Sequence, residues 1–228
     1  MSLLQNLPQI VTAIGGLGTA AFGLVDSTKV LGGGVNRIGF TRIKTTVNAL
    51  TPGTPSAGLT QDKIADTLKA NWYDGKDLAS QKAIAKSLIK QSLNSDNADK
   101  LAKATGVNSA VLQTVAASLA SGTALTQSQS DVYSRLDFIL TALLDEVYQH
   151  ADQTYTNWTR ILAACFAVVL AFLGGWSLND ASWSAYLHSN DMWVALLAGL
   201  LATPLAPIAK DLSSALATAV NTMQAIKK

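Results

Sequence analysis

The stretch "ILAACFAVVLAFLGGW", residues 161–176, contains no charged side chain and decides the fold class. With "TNWT" before it and the Arg160 side chain extended to the membrane surface, it supplies about 20 residues, the length a helix needs to cross a bilayer. A second uncharged stretch, "MWVALLAGLLATPLAPIA", follows at residues 192–209. We therefore predict an all-α integral membrane protein in which residues from about 157 to 176 and from 192 to 209 form a transmembrane hairpin.

The loop between these two segments supports the hairpin. Residues 177–191 contain Asp180 and Asp191 but neither Lys nor Arg. Tryptophan and basic residues at the ends of a hydrophobic segment are typical interfacial anchors of membrane helices. The predicted anchors are Trp158, Arg160, Trp176, Trp183, Trp193 and Lys210.

A third span is predicted near the N-terminus, because residues 7–25 also lack charge. Within it, "AIGGLGTAAFG" at residues 13–23 looks like a dinucleotide-binding turn. That fingerprint requires a strand–helix–strand unit and an acid about 20 residues further on, and no acid lies between Lys29 and Ile43. On a helix, the small residues instead form a stripe that lets another helix approach closely. The predicted helix-packing or oligomerisation residues are Gly15, Gly16, Thr19, Ala20 and Gly23.

The distribution of basic residues predicts the orientation of the three spans. Cytoplasmic loops of membrane proteins are enriched in Lys and Arg. The basic residues next to the spans are Lys29, Arg37, Arg42, Lys44, Arg160, Lys210, Lys227 and Lys228, and the hairpin loop has none. We expect the N-terminus and the hairpin loop outside, and residues 26–157 and the C-terminus in the cytoplasm. The localisation that this arrangement indicates is the bacterial inner membrane.

Proline- and glycine-rich stretches predict the domain boundaries. The predicted order is an N-terminal glycine-striped transmembrane helix at 1–28, a basic linker rich in Gly and Pro at 29–59, a cytoplasmic helical domain at 60–130, a stalk helix continuing into the transmembrane hairpin at 131–209, and a C-terminal surface helix at 210–228.

The stalk is the informative part of the cytoplasmic region. Neither Pro nor Gly occurs from Asp131 to Leu173, so a single helix is predicted to run from the cytoplasm through the membrane. Apolar residues recur along its first half at spacings of three and four and form a wide face, which indicates a bundle within the subunit or between copies. The predicted stalk-packing residues are Leu136, Ile139, Leu143 and Val147.

No group of residues predicts catalysis or a cofactor. By the predicted topology His150 and His188, the only histidines, lie on opposite sides of the membrane, and Cys165 sits in mid-span away from any His or acid. The net charge of +2 does not indicate a nucleic-acid surface. No ionisable residue lies inside a predicted span, which argues against a pump or a coupled transporter. We therefore expect a protein that is not an enzyme, with no catalytic, cofactor-binding or metal-binding residues.

One resemblance covers residues 131–216. A long helix that enters a transmembrane hairpin closing with "ATPLAPIAKDL", residues 202–212, is similar to a class of uncharacterised bacterial membrane proteins. In that class the last span likewise ends in a turn of small residues and Pro, followed by an Asp-Leu helix. The resemblance implies the topology and no activity.

Three functions fit these patterns. The leading hypothesis is a homo-oligomeric membrane scaffold or anchor with a cytoplasmic helical interaction domain. The first alternative is an oligomeric channel or pore whose first helices line the path, and the second is a monomeric membrane-bound adaptor or effector. The expected partners are further copies of the chain, the lipid bilayer and an unidentified cytoplasmic protein, and no nucleic acid.

Overall fold

The computed structural model describes the backbone of residues 3–30, 32–51, 59–179 and 182–226, and the side chains of residues 9–209 within these ranges and of Asp211. The elements of the described ranges are helices, which confirms the predicted all-α class. The helices are α1 Leu3–Val30, α2 Gly34–Leu50, α3 Gln61–Tyr73, α4 Leu78–Gln91, α5 Ala98–Thr105, α6 Ser109–Ser121, α7 Gln127–Leu178, α8 Trp183–Leu187 and α9 Asn190–Ile226.

The glycine-containing stretch 13–23 lies inside one continuous helix, α1. A dinucleotide-binding turn would require a strand that ends before these glycines and a helix that begins after them, so the structure confirms that this stretch is not such a turn. Three helices, α1, α7 and α9, are long and apolar enough to cross a membrane. They contain the three segments that the sequence predicts.

The chain divides into two compact units. We call residues 1–35 and 156–228 the long-helix unit, and residues 36–155 the helical domain. The long-helix unit contains α1, the second part of α7, the short α8 and α9. The helical domain contains nearly all of α2, the four helices α3 to α6 and the first part of α7.

The last helix is longer than the sequence predicts. A surface helix was expected to begin at residue 210, but α9 runs from Asn190 to Ile226 without interruption and includes Pro204 and Pro207. Each proline removes one backbone hydrogen bond, which long apolar helices tolerate. Beyond Pro207 no Gly or Pro provides a stop signal as far as Ile226. Residues 210–226 are therefore a continuation of α9.

The predicted linker at 29–59 contains a helix, α2. Phe40, Ile43 and Val47 recur at spacings of three and four, and all three are buried in the core of the helical domain. Trp72 on α3 donates a hydrogen bond from Nε1 to the Asn36 carbonyl oxygen at 3.0 Å. The linker prediction was wrong for this part, because the glycines before α2 and the prolines after it mark only its ends. The stretch 52–58 lies outside the described residues.

The first part of α7 belongs to the core of the helical domain. Leu136, Leu140 and Leu144 are fully buried there, at a spacing of four residues. The predicted boundary at residue 131 is therefore not a structural one, since the helical domain extends to Tyr155. The prediction of a single helix through this region is confirmed, because α7 spans 52 residues.

Opposite charges join α4 to α7. Lys82, Lys86 and Lys90 follow each other one turn apart on α4, and Asp137 and Asp145 lie two turns apart on α7. Lys86 Nζ and Lys90 Nζ are 3.0 and 2.8 Å from the Asp137 carboxylate, and Lys82 pairs with Asp145. Because Lys90 and Lys86 donate hydrogen bonds to it, the pKa of Asp137 is below its ordinary value. Burial alone would lower the pKa of Lys90, but its interactions with Asp137 and Tyr133 raise that pKa on balance.

Candidate helix-packing surface

Two glycines hold α1 against α9. A Cβ atom built on Gly18 would overlap the carbonyl oxygen of Ala202 and lie 2.7 Å from its carbonyl carbon. A Cβ atom built on Gly15 would overlap the Cβ of Ala209 and lie 3.1 Å from the Leu205 carbonyl oxygen. Only glycine therefore permits the observed separation of the two backbones, as in close helix pairs of membrane proteins.

The contact uses matching small residues on both helices. On α1 the buried positions are Gly15, Gly18, Ala21 and Val25. On α9 they include Ala202, Ala206 and Ala209, at spacings of four and three. The sequence analysis did not identify Gly18, Ala21 or this alanine row. The repetition of alanine through residues 202–209 is the signal that could have revealed it, because it has the helical period of a small-residue face.

The opposite face of α1 is also made of small residues, and it is exposed. Gly16, Thr19, Ala20 and Gly23 are all exposed, and positions 16, 20 and 23 lie about 140–180° around the helix from the buried positions 18 and 25. A Cβ atom at Gly16 or Gly23 would meet no atom of the described part of the chain within 4 Å. The structure therefore separates the five predicted packing residues, with Gly15 against α9 and the other four on the open face. We call Gly16, Thr19, Ala20 and Gly23 the open face of α1.

The stalk residues pack within the chain. Leu136 and Val147 are buried in the core of the helical domain, and Ile139 and Leu143 are half-buried against it. Phe138 is the exception on this part of α7, because its side chain is 76% exposed. The apolar face of the stalk is thus largely used by the bundle inside the subunit.

The predicted anchors lie at exposed positions. Trp158, Arg160, Trp176, Trp183 and Trp193 are exposed, and the Lys210 side chain lies outside the described residues. Trp176 and Trp183 pack edge to face with ring centroids 4.8 Å apart. Phe172 packs in the same way against Trp183 and against Tyr186, which is fully buried. These rings close the hairpin, and the sequence analysis missed Phe172 and Tyr186 among them.

The residues considered for chemistry stand apart. His150 and Cys165 are exposed, and a ring nitrogen of His188 is 2.8 Å from the Ser184 carbonyl oxygen. Within the described ranges no three side chains of His, Cys, Asp or Glu lie close enough to hold a metal ion.

The two faces of α1 differ in what they can do. The face that includes Gly15 and Gly18 is filled by α9, so it closes the subunit. The open face presents backbone to whatever surrounds the helix, which allows a second helix to approach closely. No protein-family model, curated protein or solved structure matches this chain.

Proposed function

We propose that this chain is a homo-oligomeric membrane scaffold. Its three long apolar helices cross the bacterial inner membrane, with the N-terminus outside and the C-terminus in the cytoplasm. The helical domain lies in the cytoplasm and binds an unidentified cytoplasmic protein. Support for the membrane location comes from the length and composition of α1, α7 and α9, and support for the orientation comes from the basic residues that flank them.

The open face of α1 carries the proposal of self-assembly. Glycine inside a helix is less favourable than alanine by about 1 kcal/mol in water. At Gly15 and Gly18 the close approach of α9 explains the glycine. At Gly16 and Gly23 no residue that the structure describes explains it, since a Cβ atom would meet none of them within 4 Å. A helix from a second copy that packs on this face gives these two glycines the same role that α9 gives the other pair.

The proposed scaffold role of the helical domain is supported by its surface. Its core is complete within one subunit, as the burial of Leu136, Leu140 and Leu144 shows. The ring of Phe138 nevertheless remains 76% exposed on α7. Exposed aromatic side chains are common anchors of protein interfaces, so Phe138 is the residue at which we place the contact with the cytoplasmic partner.

A monomeric adaptor is the second candidate, and one observation favours it. Helix α9 already covers Gly15 and Gly18 of α1. A chain that acts alone would bury its small residues within itself in this way. The pore has less support. The Thr19 hydroxyl, which would line such a path, donates a hydrogen bond to the Gly15 carbonyl oxygen at 3.1 Å and so is satisfied without water.

The test is the mass of the particle in nanodiscs, measured by native mass spectrometry. A scaffold gives a discrete multiple of the 23.9 kDa chain, and the double variant Gly16→Leu/Gly23→Leu reduces the particle to one chain. The matched control is Gly174→Leu, because Gly174 is also exposed with open space around it but lies on α7. This control keeps the mass of the wild type.

The other outcomes select the alternatives. A wild-type particle of one chain at all concentrations refutes self-assembly and favours the adaptor. If the wild type assembles, planar-bilayer recordings of Thr19→Lys separate scaffold from pore. A conductance that the wild type shows and Thr19→Lys alters would refute the scaffold in favour of the pore.

A further inference from the structure

Helix α2 has one face that is fixed in the helical domain and one that is exposed. Phe40, Ile43 and Val47 anchor the buried face in the core. A Cβ atom built on Gly39 would lie 2.7 Å from the Trp72 ring and 3.0 Å from the Ala151 carbonyl oxygen, so this face of α2 packs closely against α3 and α7. The exposed residues in its first three turns are Arg37, Ile38, Thr41, Arg42, Lys44 and Thr45. We call these six residues the outer face of α2.

The outer face is cationic. Arg37 and Lys44 are about 20° apart around the helix, and Arg42 is about 140° from Arg37. Arg37 and Lys44 thus form one edge of the outer face and Arg42 forms the other. Thr41, Thr45 and Ile38 lie between these two edges. The side chains of the three basic residues form no hydrogen bond or ion pair with any residue that the structure describes. The lysines of α4 differ in this respect, because the carboxylates of α7 pair with them.

The positive charge of the helical domain is concentrated on this face. Helix α2 contains three basic residues and no acid. Residues 51–155, the rest of the domain, contain nine basic and eleven acidic residues. The domain is therefore electrically asymmetric, and a ligand that binds α2 by charge is anionic.

The chain connects this face closely to a long apolar helix. Arg37 follows Val30, the last residue of α1, by seven residues, which span at most about 25 Å even when fully extended. Basic residues immediately beside a membrane helix on the cytoplasmic side commonly contact anionic lipids. This argument rests on the proposed function, since it takes α1 to cross the membrane.

We propose that the outer face of α2 binds the headgroups of anionic phospholipids in the membrane that α1 crosses. The guanidinium groups of Arg37 and Arg42 can each donate two parallel hydrogen bonds to a phosphate, and the Lys44 ammonium adds a third positive charge. Ile38, 42% exposed between the two charged edges, adds apolar contact at the headgroup level. The bound lipids hold the helical domain at the membrane surface.

The experiment measures the distance between α2 and lipids in the full chain. Thr41→Cys in a Cys165→Ser background places a single fluorophore on the outer face. The protein is reconstituted in phosphatidylcholine vesicles that contain increasing amounts of phosphatidylserine or phosphatidylcholine with a nitroxide near the headgroup. We expect the serine lipid to quench at a much lower fraction than the choline lipid. Each surface cation contributes about a fivefold change in affinity.

The charge-removal variants decide the assignment. Arg37→Gln/Arg42→Gln/Lys44→Gln is expected to lose the preference for the serine lipid, by about 100-fold in affinity. The matched control is Lys76→Gln/Lys100→Gln/Arg135→Gln, which removes three exposed charges elsewhere in the domain and keeps the preference. The far-UV circular dichroism of both variants is compared with that of the wild type, because all six side chains are exposed and no helix content is expected to change.

The contradicting outcomes are distinct from failure of the proposed function. Equal quenching by the two lipids, in a protein that resists alkaline extraction from the vesicles, would overturn the lipid site and favour an acidic segment of a protein as the ligand. An equal loss of preference in the two triple variants would also overturn it, since the effect would then follow total charge. Extraction of the wild-type protein by alkaline carbonate would refute membrane insertion, and the lipid site with it.

Discussion

Replacing Gly18 by leucine tests whether α1 is held against α9 as the structure describes. The first side-chain carbon would lie 2.7 Å from the Ala202 carbonyl carbon and 3.0 Å from the Ala206 Cβ. Carbon atoms in contact are usually about 3.5–4.0 Å apart. The helices would therefore have to separate by about 1 Å for that atom alone, and leucine adds three more carbons. We expect a loss of about 1–3 kcal/mol in the free energy of unfolding, as for other overpacked interiors.

The matched control is Gly16→Leu, two residues away on the opposite face of the same helix. It carries the same change in volume and helix propensity, but a Cβ atom at Gly16 would meet none of the described residues within 4 Å. Unfolding of both variants by SDS in mixed micelles, followed by tryptophan fluorescence at protein concentrations low enough to keep single chains apart, compares them with the wild type. Equal stabilities of the two variants would refute the assignment of the faces of α1.

Two further predictions concern the helical domain and use chemical unfolding of the full chain followed by far-UV circular dichroism. Asp137→Asn removes the carboxylate that Lys86 and Lys90 share, and a loss of about 1 kcal/mol is expected at neutral pH. Because those lysines lower the pKa of Asp137, its contribution is present above the unfolded-state pKa of about 3.9 and disappears as the pH falls through the lower folded-state pKa. A difference from the wild type that is undiminished in strong acid would contradict this. Leu140→Ala, at a fully buried side chain, should cost about 2–5 kcal/mol, whereas Phe138→Ala should change stability by less than about 0.5 kcal/mol. Similar losses in these two variants would show that the buried face of α7 is assigned wrongly.

The sequence predicted the long helices because their signal is local. The length and composition of an uncharged run such as residues 161–176 exclude most assignments other than a long apolar helix. The absence of Pro and Gly from Asp131 to Leu173 likewise predicted the continuity of α7, which the structure confirms. The buried positions of α7 were predicted less well, because a wide apolar face does not show which of its residues, Leu140 or Ile139, points to the core.

The faces of α1 could not be assigned from its sequence. Small residues occur on both sides of this helix, and positions 15 and 16 are only 100° apart. The choice between them depends on the alanine row of α9, which is almost 200 residues away in the chain. Helix α2 was missed for a different reason, since its glycine-rich and proline-rich flanks and its basic residues were given more weight than the spacing of Phe40, Ile43 and Val47.

The pairing of Gly15 with Ala209 has a consequence for the time course of synthesis. A ribosome that adds about 5–20 residues per second needs about 10–40 s to proceed from the first of these residues to the second. During that interval α1 has been made, but Gly15 and Gly18 do not yet have their partners on α9. A nascent chain that ends before Ala202 never acquires these partners, so premature termination leaves the face of α1 that includes Gly15 and Gly18 open to other helices or to proteases. The first helix to emerge is therefore among the last to reach its final packing.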